Sequence, residues 1–350
     1  MTVAQAKQLP TFQEALSQEV KGKKSLLLGN GFSMAWKASA FSYGSLRKKA
    51  DLSGLSCDGK RLFDALETND FEIVIERLEA MDRLLSVYDP QSSLSVSVAN
   101  DASIIRDALA RALAVNHPDN VSSIPDQQYA ASREFLKHFA CIYSVNYDLL
   151  LYWSTLQTGV DSLNVAGNDG FGSDPDDPEA DWVTWDNIGT RRSQTVHYLH
   201  GALHLFDAGD RLKKLTWIRT SIPLLDQIRK ALEEGHYPLV VTEGSSAQKI
   251  AKIEHSAYLS GSYRSLGNIG GHLIVFGHGL GQNDDHILEA VVRSNVLRLS
   301  VSMHGNPKSQ RNQQLQRRAR QLADRRHIKS DGKKPLAVDF FDAASASPWG

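Results

Sequence analysis

Seven short apolar runs recur along the chain, each four to six residues long, with longer stretches of helical spacing between them. The runs are SLLL (25–28), CIYSV (141–145), TVHYL (195–199), YPLVVT (237–242), HLIVF (272–276), VLRLSV (296–301) and LAVDF (336–340). They show no clear alternation of apolar and polar residues, which is typical of strands covered on both faces. Short buried strands separated by helices predict a parallel sheet, and the fold class is therefore predicted to be α/β.

A long helical segment, residues 55–140, is predicted between the first two strands. Apolar residues recur at near-helical spacing from Phe71 onward, and Asn69 or Asp70 is placed to cap this helix. The stretches DASIIRDALARALAV and QQYAASREFLKHFA continue the helical pattern. We therefore expect a helical insertion that is set on the sheet.

Two further segments stand apart from the strand and helix pattern. Residues 157–194 are rich in Gly, Asp, Asn and Pro, and we expect a long loop near the site that could act as a lid. Residues 306–334 are locally basic and predict an amphipathic surface helix. Its weakly apolar face is formed by Leu315, Ala319 and Leu322. A nucleic-acid patch is the alternative, but neither interleaved aromatic residues nor a fold motif supports it.

Composition limits the kinds of ligand and compartment. At 350 residues the chain is long enough for one large α/β domain or two ordinary ones, and we treat residues 1–350 as a single domain. The chain has 39 Lys and Arg against 40 Asp and Glu, so it has no bulk attraction to nucleic acid or membrane, and an anionic ligand must be bound locally. No apolar stretch approaches the roughly 20 residues of a membrane span, and the first residues do not resemble a signal peptide. We therefore expect a cytoplasmic protein.

The first candidate site is the turn Gly29-Asn30-Gly31-Phe32-Ser33, which follows the first strand. Glycines allow close approach of a phosphate, and free N–H groups at the start of the next helix favour an anion. The alternative is that a strand-to-helix turn needs glycine for its geometry alone. The dehydrogenase fingerprint is absent, because Met34 takes the third glycine position and Asp51 lies in an apparent loop.

The second candidate site is Asn146 and Asp148, which directly follow the apolar run CIYSV. In a parallel sheet this position is the carboxyl end of a strand, where ligands usually bind. The alternative is that one of the two side chains simply caps the next helix, which begins near Tyr147.

Three histidines, His197, His200 and His204, occur in the segment TVHYLHGALHLF. An imidazole beside glycine at a strand end is a candidate general base, because its pKa lies near the working pH. Each of them could instead be a hydrogen-bonded structural histidine. Their spacing matches no zinc pattern, so we expect these three residues to bind no metal.

The last candidate turn is GHGLGQNDDH, which follows the buried run HLIVF. It contains Gly277, His278, Gly279, Gly281, Asn283, Asp284 and Asp285. These residues could line a second part of a nucleotide cleft, and the polar side chains could accept ribose hydroxyls. Helix capping is the alternative for at least one of the last three. Glu243 is a weaker candidate, because TEGSSAQK also reads as a turn capped by Ser245 or Ser246.

Taken in order, the motifs LGNGFS, SVNYD, LHG and VFGHGLGQNDDHI resemble those of the sirtuin-like domain of bacterial proteins, in particular a single-chain branch of it. The similarity extends through PLVVTEGSSAQKIAKIEHSAYLSGSYRSL and covers about residues 20–300. The resemblance implies a Rossmann-like sheet with helices on both faces that binds NAD and cleaves its nicotinamide–ribose bond.

The resemblance also implies roles for individual residues. The turn from Gly29 to Ser33 would line the pyrophosphate. Asn146 and Asp148 would lie around the nicotinamide ribose, and His200 would be the catalytic histidine. The adenosine side would be lined by Gly277, His278, Gly279, Leu280, Asn283 and Asp284. Sirtuins often have Ser or Thr where this chain has His278-Gly279, so a hydroxyl contact to phosphate is not expected there.

NAD hydrolysis to nicotinamide and ADP-ribose is the function that these motifs predict, with NAD as substrate and no metal. Protein deacylation is less favoured, because deacylating sirtuins have a four-cysteine zinc site and this chain has only Cys57 and Cys141. The resemblance further implies a role in anti-phage defence, with activation by self-assembly or a partner protein. A non-catalytic NAD sensor is the alternative. We expect no membrane and no specific nucleic acid as partner.

Overall fold

The computed structural model describes residues 8–185, 191–209, 211–216, 222–242 and 244–350. The strands in this part of the chain are β1 (Lys24–Leu28), β2 (Cys141–Ser144), β3 (Gly172–Ser173), β4 (Trp182–Thr184), β5 (Val196–Tyr198), β6 (Leu205–Asp207), β7 (Leu212–Leu215), β8 (Gly270–Phe276), β9 (Asn295–Met303) and β10 (Ala337–Asp342).

The α-helices of the described residues begin and end as follows. They are α1 (Phe12–Leu16), α2 (Gly31–Phe41), α3 (Tyr43–Lys49), α4 (Gly59–Ala65), α5 (Phe71–Tyr88), α6 (Ser93–Asn116), α7 (Asp126–Leu136), α8 (Leu150–Leu156), α9 (Leu224–Glu233), α10 (Ser246–His255), α11 (Ala257–Asn268), α12 (Asp285–Arg293) and α13 (Gln310–Lys329). None of these helices is long and apolar enough to cross a membrane.

Six strands form a parallel sheet in the order β10-β9-β8-β1-β2-β5. When these six strands are numbered 1 to 6 in chain order and read from β5 to β10, their order is 3-2-1-4-5-6. This is the strand order of doubly wound dinucleotide-binding folds. The strand order reverses between β1 and β8, and ligands of such folds bind beside the carboxyl ends of the strands at this point. The predicted α/β, Rossmann-like fold is confirmed.

Successive side chains of β1 reach two different apolar clusters, as expected for a strand covered on both faces. Leu26 and Leu28 pack into the larger cluster, which includes residues of the helices between β1 and β2. Leu27 packs into the second cluster, which includes residues of α12 and α13. All three leucines are fully buried, so the sheet is held between two helical layers.

The insertion between β1 and β2 is helical, as its spacing predicts, and consists of α2 to α7. Asp70 is the residue that caps α5, where its side chain accepts a hydrogen bond from the backbone N–H of Glu72. The basic segment near the end of the chain forms α13, with Leu315, Ala319 and Leu322 buried. Beyond it, the indole N–H of Trp349 donates a 2.9 Å hydrogen bond to the carbonyl of Phe32.

Two predictions of local structure are wrong. Residues 237–242 form no strand. The backbones of Leu239 and Val241 form hydrogen bonds with residues 200–205, and the only pairing they produce is an isolated antiparallel bridge between Gly201 and Val240 in this described segment. Residues 157–194 are not a structureless loop throughout their described part. They contribute β3 and β4 to an antiparallel sheet in the order β3-β4-β7-β6, whose strands are too short to show a periodic pattern.

Candidate functional site

The two glycine-rich turns at the switch point pack directly against each other. The backbone N–H of Gly29 donates to the carbonyl of Phe276, and that of Gly31 to the carbonyl of Gly277, both at 2.9 Å. A Cβ atom on Gly31 would lie 2.4 Å from the Cα atom of Gly277, so only glycine fits there. These N–H groups are already bonded, and an anion at this turn would have to use other donors.

Ser33, Asn146 and Asp148 meet at the carboxyl ends of β1 and β2 and are named here the Asn146 cluster. The Ser33 hydroxyl donates to Asp148 Oδ2 at 2.5 Å, and the Asn146 amide donates to the Ser33 hydroxyl at 3.1 Å. All three side chains are buried. The structure therefore brings together residues that the sequence placed in two separate motifs, 113 and 115 positions apart.

The two polar residues after β2 have different environments. Asp148 uses both carboxylate oxygens, because its Oδ1 also accepts from the backbone N–H of Leu150 and so holds the start of α8. Burial raises the pKa of Asp148, although the bond from Ser33 acts in the opposite direction. Asn146, in contrast, has a buried Oδ1 with no hydrogen-bond partner. An orphaned buried acceptor is costly, and at this edge of the sheet it makes Asn146 a candidate for contact with a ligand.

Glu72, His200, Lys249, Asp284 and His286 form a second group, named here the His200 cluster. The Lys249 ammonium lies 2.5 Å from Glu72 Oε2 and 3.0 Å from Asp284 Oδ1. The Nε2 atoms of His200 and His286 are 2.9 Å apart, and His200 Nε2 is 3.9 Å from Asp284 Oδ1. One ligand atom from each of His200, Asp284 and His286 lies within 4.8 Å of the other two.

The charges of the His200 cluster are set by burial and by their close neighbours. Burial acts to lower the pKa of Lys249, but Glu72 and Asp284 raise it above its ordinary value. Burial acts to raise the pKa of Asp284, but Lys249 holds it well below its ordinary range. Burial lowers the pKa of His200 well below its ordinary value and that of His286 to about 4. Both imidazoles are therefore neutral at pH 7.

Tyr147 links the two clusters, since it stands between Asn146 and Asp148 in the sequence. Its hydroxyl lies 2.8 Å from Glu72 Oε1 and 2.7 Å from the carbonyl of Val241, and its proton can be donated to one of them at a time. Its ring lies over that of His200, with centroids 6.4 Å apart. The position of Glu72 thus ties the helical insertion to the strand ends.

The late glycine turn is held by its own residues and by β9. His278 Nδ1 accepts from the backbone N–H of Leu280, so its Nε2 carries the proton and donates to Asp284 Oδ2 at 3.0 Å. The Gly277 N–H donates to the hydroxyl of Ser302 at 2.9 Å. Asn283 donates to Glu72 Oε2 at 2.8 Å. His278 and Asn283 are therefore bonded to two members of the His200 cluster, Asp284 and Glu72.

The other two histidines of the predicted trio have structural surroundings. His197 stacks on Tyr143, with centroids 4.8 Å apart, and its ring nitrogens contact the hydroxyls of Ser262 and Ser265. His204 is fully buried and stacks on Tyr152, with no hydrogen-bond partner at either ring nitrogen. Of the three, His200 alone belongs to the cluster at the strand ends. Glu243 lies outside the described residues.

Four residues of the site were missed from the sequence: Glu72, Tyr147, Lys249 and His286. A signal was present for three of them, because an ionisable side chain on the apolar face of a helix needs a partner. Lys249 stands four positions before the buried Ile253 in α10, and Glu72 three positions before the buried Ile75 in α5. His286 stands four positions before the buried Ala290 in α12.

Comparison with known proteins gives a family but no activity. Residues 26–349 match the family model described as Domain of unknown function (DUF4917). The match extends from β1 through Trp349 and thus includes both clusters and the whole parallel sheet. No curated protein matches the chain.

Proposed function

We propose that this chain, which belongs to the family described as Domain of unknown function (DUF4917), hydrolyses NAD to nicotinamide and ADP-ribose. The observation that carries the proposal is the buried, unpartnered Oδ1 of Asn146, which follows β2 at the carboxyl edge of a Rossmann-like sheet, one strand from the switch point. The neutral imidazole of His200 follows the neighbouring strand β5 at the same edge. These are the residues that the resemblance to sirtuin-like proteins assigns to NAD cleavage.

The chemistry of the bond needs orientation more than acid catalysis. Nicotinamide leaves NAD as a neutral molecule while positive charge develops on the ribose, so no strong general acid is required. Asn146 has its amide fixed on Ser33 and its Oδ1 unpaired but buried, so a ribose hydroxyl or a water that displaces the covering atoms would be accepted there in a defined direction. Asp148 fixes Ser33 and α8 and so acts as a positioning residue.

His200 would take the proton from the ribose hydroxyl or from water. Its neutral form at pH 7 suits a general base, but its Nε2 faces His286 Nε2 at 2.9 Å. The lone pair at Nε2 becomes available when this contact opens. A chain that rests with His200 engaged is suited to a regulated effector, and we propose activation by a partner protein or by self-association, as in bacterial anti-phage defence.

A non-catalytic NAD sensor is the second candidate, and one observation favours it. His200 Nε2 is engaged with His286 Nε2 at 2.9 Å. Such a cleft could bind a nucleotide without positioning a base for turnover. Protein deacylation remains the least favoured function, because a four-cysteine zinc site needs more cysteines than this chain has.

Nicotinamide release separates these functions. Purified protein is incubated with NAD, with and without candidate activators, and nicotinamide is followed by chromatography. We expect Asn146→Ala to lower the rate by about 10²-fold or more and His200→Ala by about 10²- to 10⁴-fold. His255→Gln, a change at an exposed histidine outside the site, serves as the control and keeps the rate.

Turnover that survives both substitutions would contradict the assigned residues. Tight binding of NAD without turnover, in the presence of every candidate activator, would favour the sensor instead. Binding is measured by calorimetry on the same preparations, so that a loss of rate is distinguished from a loss of affinity.

A further inference from the structure

We propose that His200, Asp284 and His286 form a binding site for a divalent transition-metal ion such as Zn²⁺, and that metal at this site blocks NAD cleavage. The second half of this proposal rests on the proposed function, whereas the first half does not. From the sequence no metal is expected, since the spacing of His197, His200 and His204 matches no zinc pattern. The structure instead groups His200 with two residues from the other side of the switch point.

The distances suit a metal with imidazole ligands. The Nε2 atoms of His200 and His286 are 2.9 Å apart, so they cannot both carry a proton and at least one presents a lone pair. Two ligands at about 2.1 Å from one ion are separated by roughly 3.0 to 3.4 Å, depending on the coordination angle. Asp284 Oδ1 is 3.9 Å from His200 Nε2, which exceeds that spacing by roughly half an ångström or more, and all three ligand atoms lie within 4.8 Å of one another.

His286 and Asp284 each contact a neighbouring polar side chain that can orient them, as is usual for metal ligands. His286 Nδ1 lies 3.3 Å from the hydroxyl of Ser246, which can fix the tautomer that leaves Nε2 for the ion. Asp284 Oδ2 accepts from His278 Nε2, which leaves Oδ1 on the side of His200. His278 itself is occupied as a donor and is not counted among the ligands.

The charge of the surrounding groups favours a cation. Glu72 and Asp284 are two carboxylates, and among the residues that the structure describes Lys249 is the one ammonium that contacts them both. The cluster therefore has a surplus negative charge in a buried environment, which a bound cation offsets. Lys249 lies closer to Glu72 than to Asp284, so it can stay paired when Asp284 binds an ion.

Two imidazoles and one carboxylate select zinc and similar metals over Mg²⁺ or Ca²⁺, which prefer oxygen ligands. A bound ion would use the Nε2 lone pair of His200. The general base of the proposed reaction would then be unavailable, and the metal would act as an inhibitor. Metal binding at this site would thus inhibit NAD cleavage from within the same domain.

Metal binding is tested directly, with no nucleotide present. Chelator-treated protein is titrated with Co²⁺, whose visible absorption reports imidazole ligation, and with Zn²⁺ in a calorimeter. We expect one equivalent to bind, and His286→Gln and Asp284→Asn to weaken the affinity at least 10²-fold. Ser246→Ala, which removes only the neighbour of His286, should weaken it by about tenfold or more. His255→Gln is the matched control and should bind as the unchanged protein does.

Folding of each variant is checked by circular dichroism, and the gain in thermal midpoint on adding Zn²⁺ gives a second readout. Absence of binding to the unchanged protein, or binding that survives both ligand substitutions in folded variants, overturns the site. Inhibition of nicotinamide release by Zn²⁺, reversed by a chelator, supports the blocking role, and full activity with the site loaded overturns it. A protein that binds Co²⁺ but never releases nicotinamide keeps the metal site and loses the proposed function.

Discussion

The Asn146 cluster and the His200 cluster lie at the same edge of the sheet but differ in how they are assembled. The first takes Ser33 from the first turn of α2, which follows β1 directly, and its other two residues from the turn after the neighbouring strand β2. The second takes its residues from α5, α10, α12 and the turns after β5 and β8. Residues that follow neighbouring strands are brought together by the sheet itself, whereas residues on helices meet through packing.

The two clusters also differ in charge. The Asn146 cluster has one carboxyl, Asp148, and burial favours the neutral form of that group. The His200 cluster holds Glu72, Asp284 and Lys249 as mutually paired charges. A cluster with a single carboxyl and an unpaired acceptor is suited to orienting a ligand, and a cluster of several paired charges is suited to moving protons or binding ions. Three substitutions test this contrast, in decreasing order of expected effect.

Lys249→Met should have the largest effect on stability. It removes the ammonium and leaves Glu72 and Asp284 buried without their counter-charge, which should cost about 3–5 kcal/mol in the free energy of unfolding. Urea denaturation measures this loss. Lys252→Met, at an exposed position of the same helix, is the matched control and should change stability by less than about 0.5 kcal/mol. Equal effects of the two changes would contradict the buried ion network.

Gly31→Ala should have the next largest effect, because it tests the turn beneath the Asn146 cluster. The new Cβ would lie 2.4 Å from the Cα atom of Gly277, and we expect a loss of about 1–3 kcal/mol from overpacking. Gly44→Ala is the matched control. Gly44 lies in α3, and a Cβ atom at this position would meet no atom within 4 Å. That change should be neutral or stabilise by up to about 1 kcal/mol. A neutral Gly31→Ala would show that the two turns separate readily.

Asp70→Asn should alter how stability depends on pH. Burial and the neighbouring Glu72 raise the pKa of Asp70 to about 7, above its ordinary value. Between pH 4 and 7 the folded chain therefore binds a proton that the unfolded chain has released, and stability falls as pH rises, by at most about 1.4 kcal/mol per unit. Asn keeps the helix cap without this titration, so the variant should gain on the unchanged protein at pH 8 relative to pH 5. Parallel urea curves at both pH values measure the gain, and identical pH slopes would contradict it.

The sequence carried enough information for the fold and for the Asn146 cluster. Short apolar runs identified all six strands of the parallel sheet, and a parallel sheet places Ser33, Asn146 and Asp148 at one edge. Asp148 Oδ1 does accept from the N–H of Leu150, but α8 begins at Leu150 and not near Tyr147, and its N-cap residue is Leu149. The apolar runs were sufficient because a strand buried on both faces needs apolar residues whichever elements pack on it.

The His200 cluster could not be predicted in the same way. Nothing along the chain pairs Glu72 with Lys249, which are 177 positions apart. Each appears on its own as a charge on a partly apolar helix face, a signal that identifies a need for a partner and not the partner. The small antiparallel sheet was not predicted for another reason. Its strands have two to four residues and are too short to show an alternation of apolar and polar side chains.

The bond from Trp349 to the carbonyl of Phe32 joins positions 317 residues apart and lies next to the turn that leads to Ser33. During synthesis, at about 5–20 residues per second, residue 349 is made on the order of 15–60 s after residue 32. We therefore expect the nascent chain to lack this bond at its first strand-to-helix turn until residue 349 has been translated. Under the proposed function, full activity would then arise only after that point.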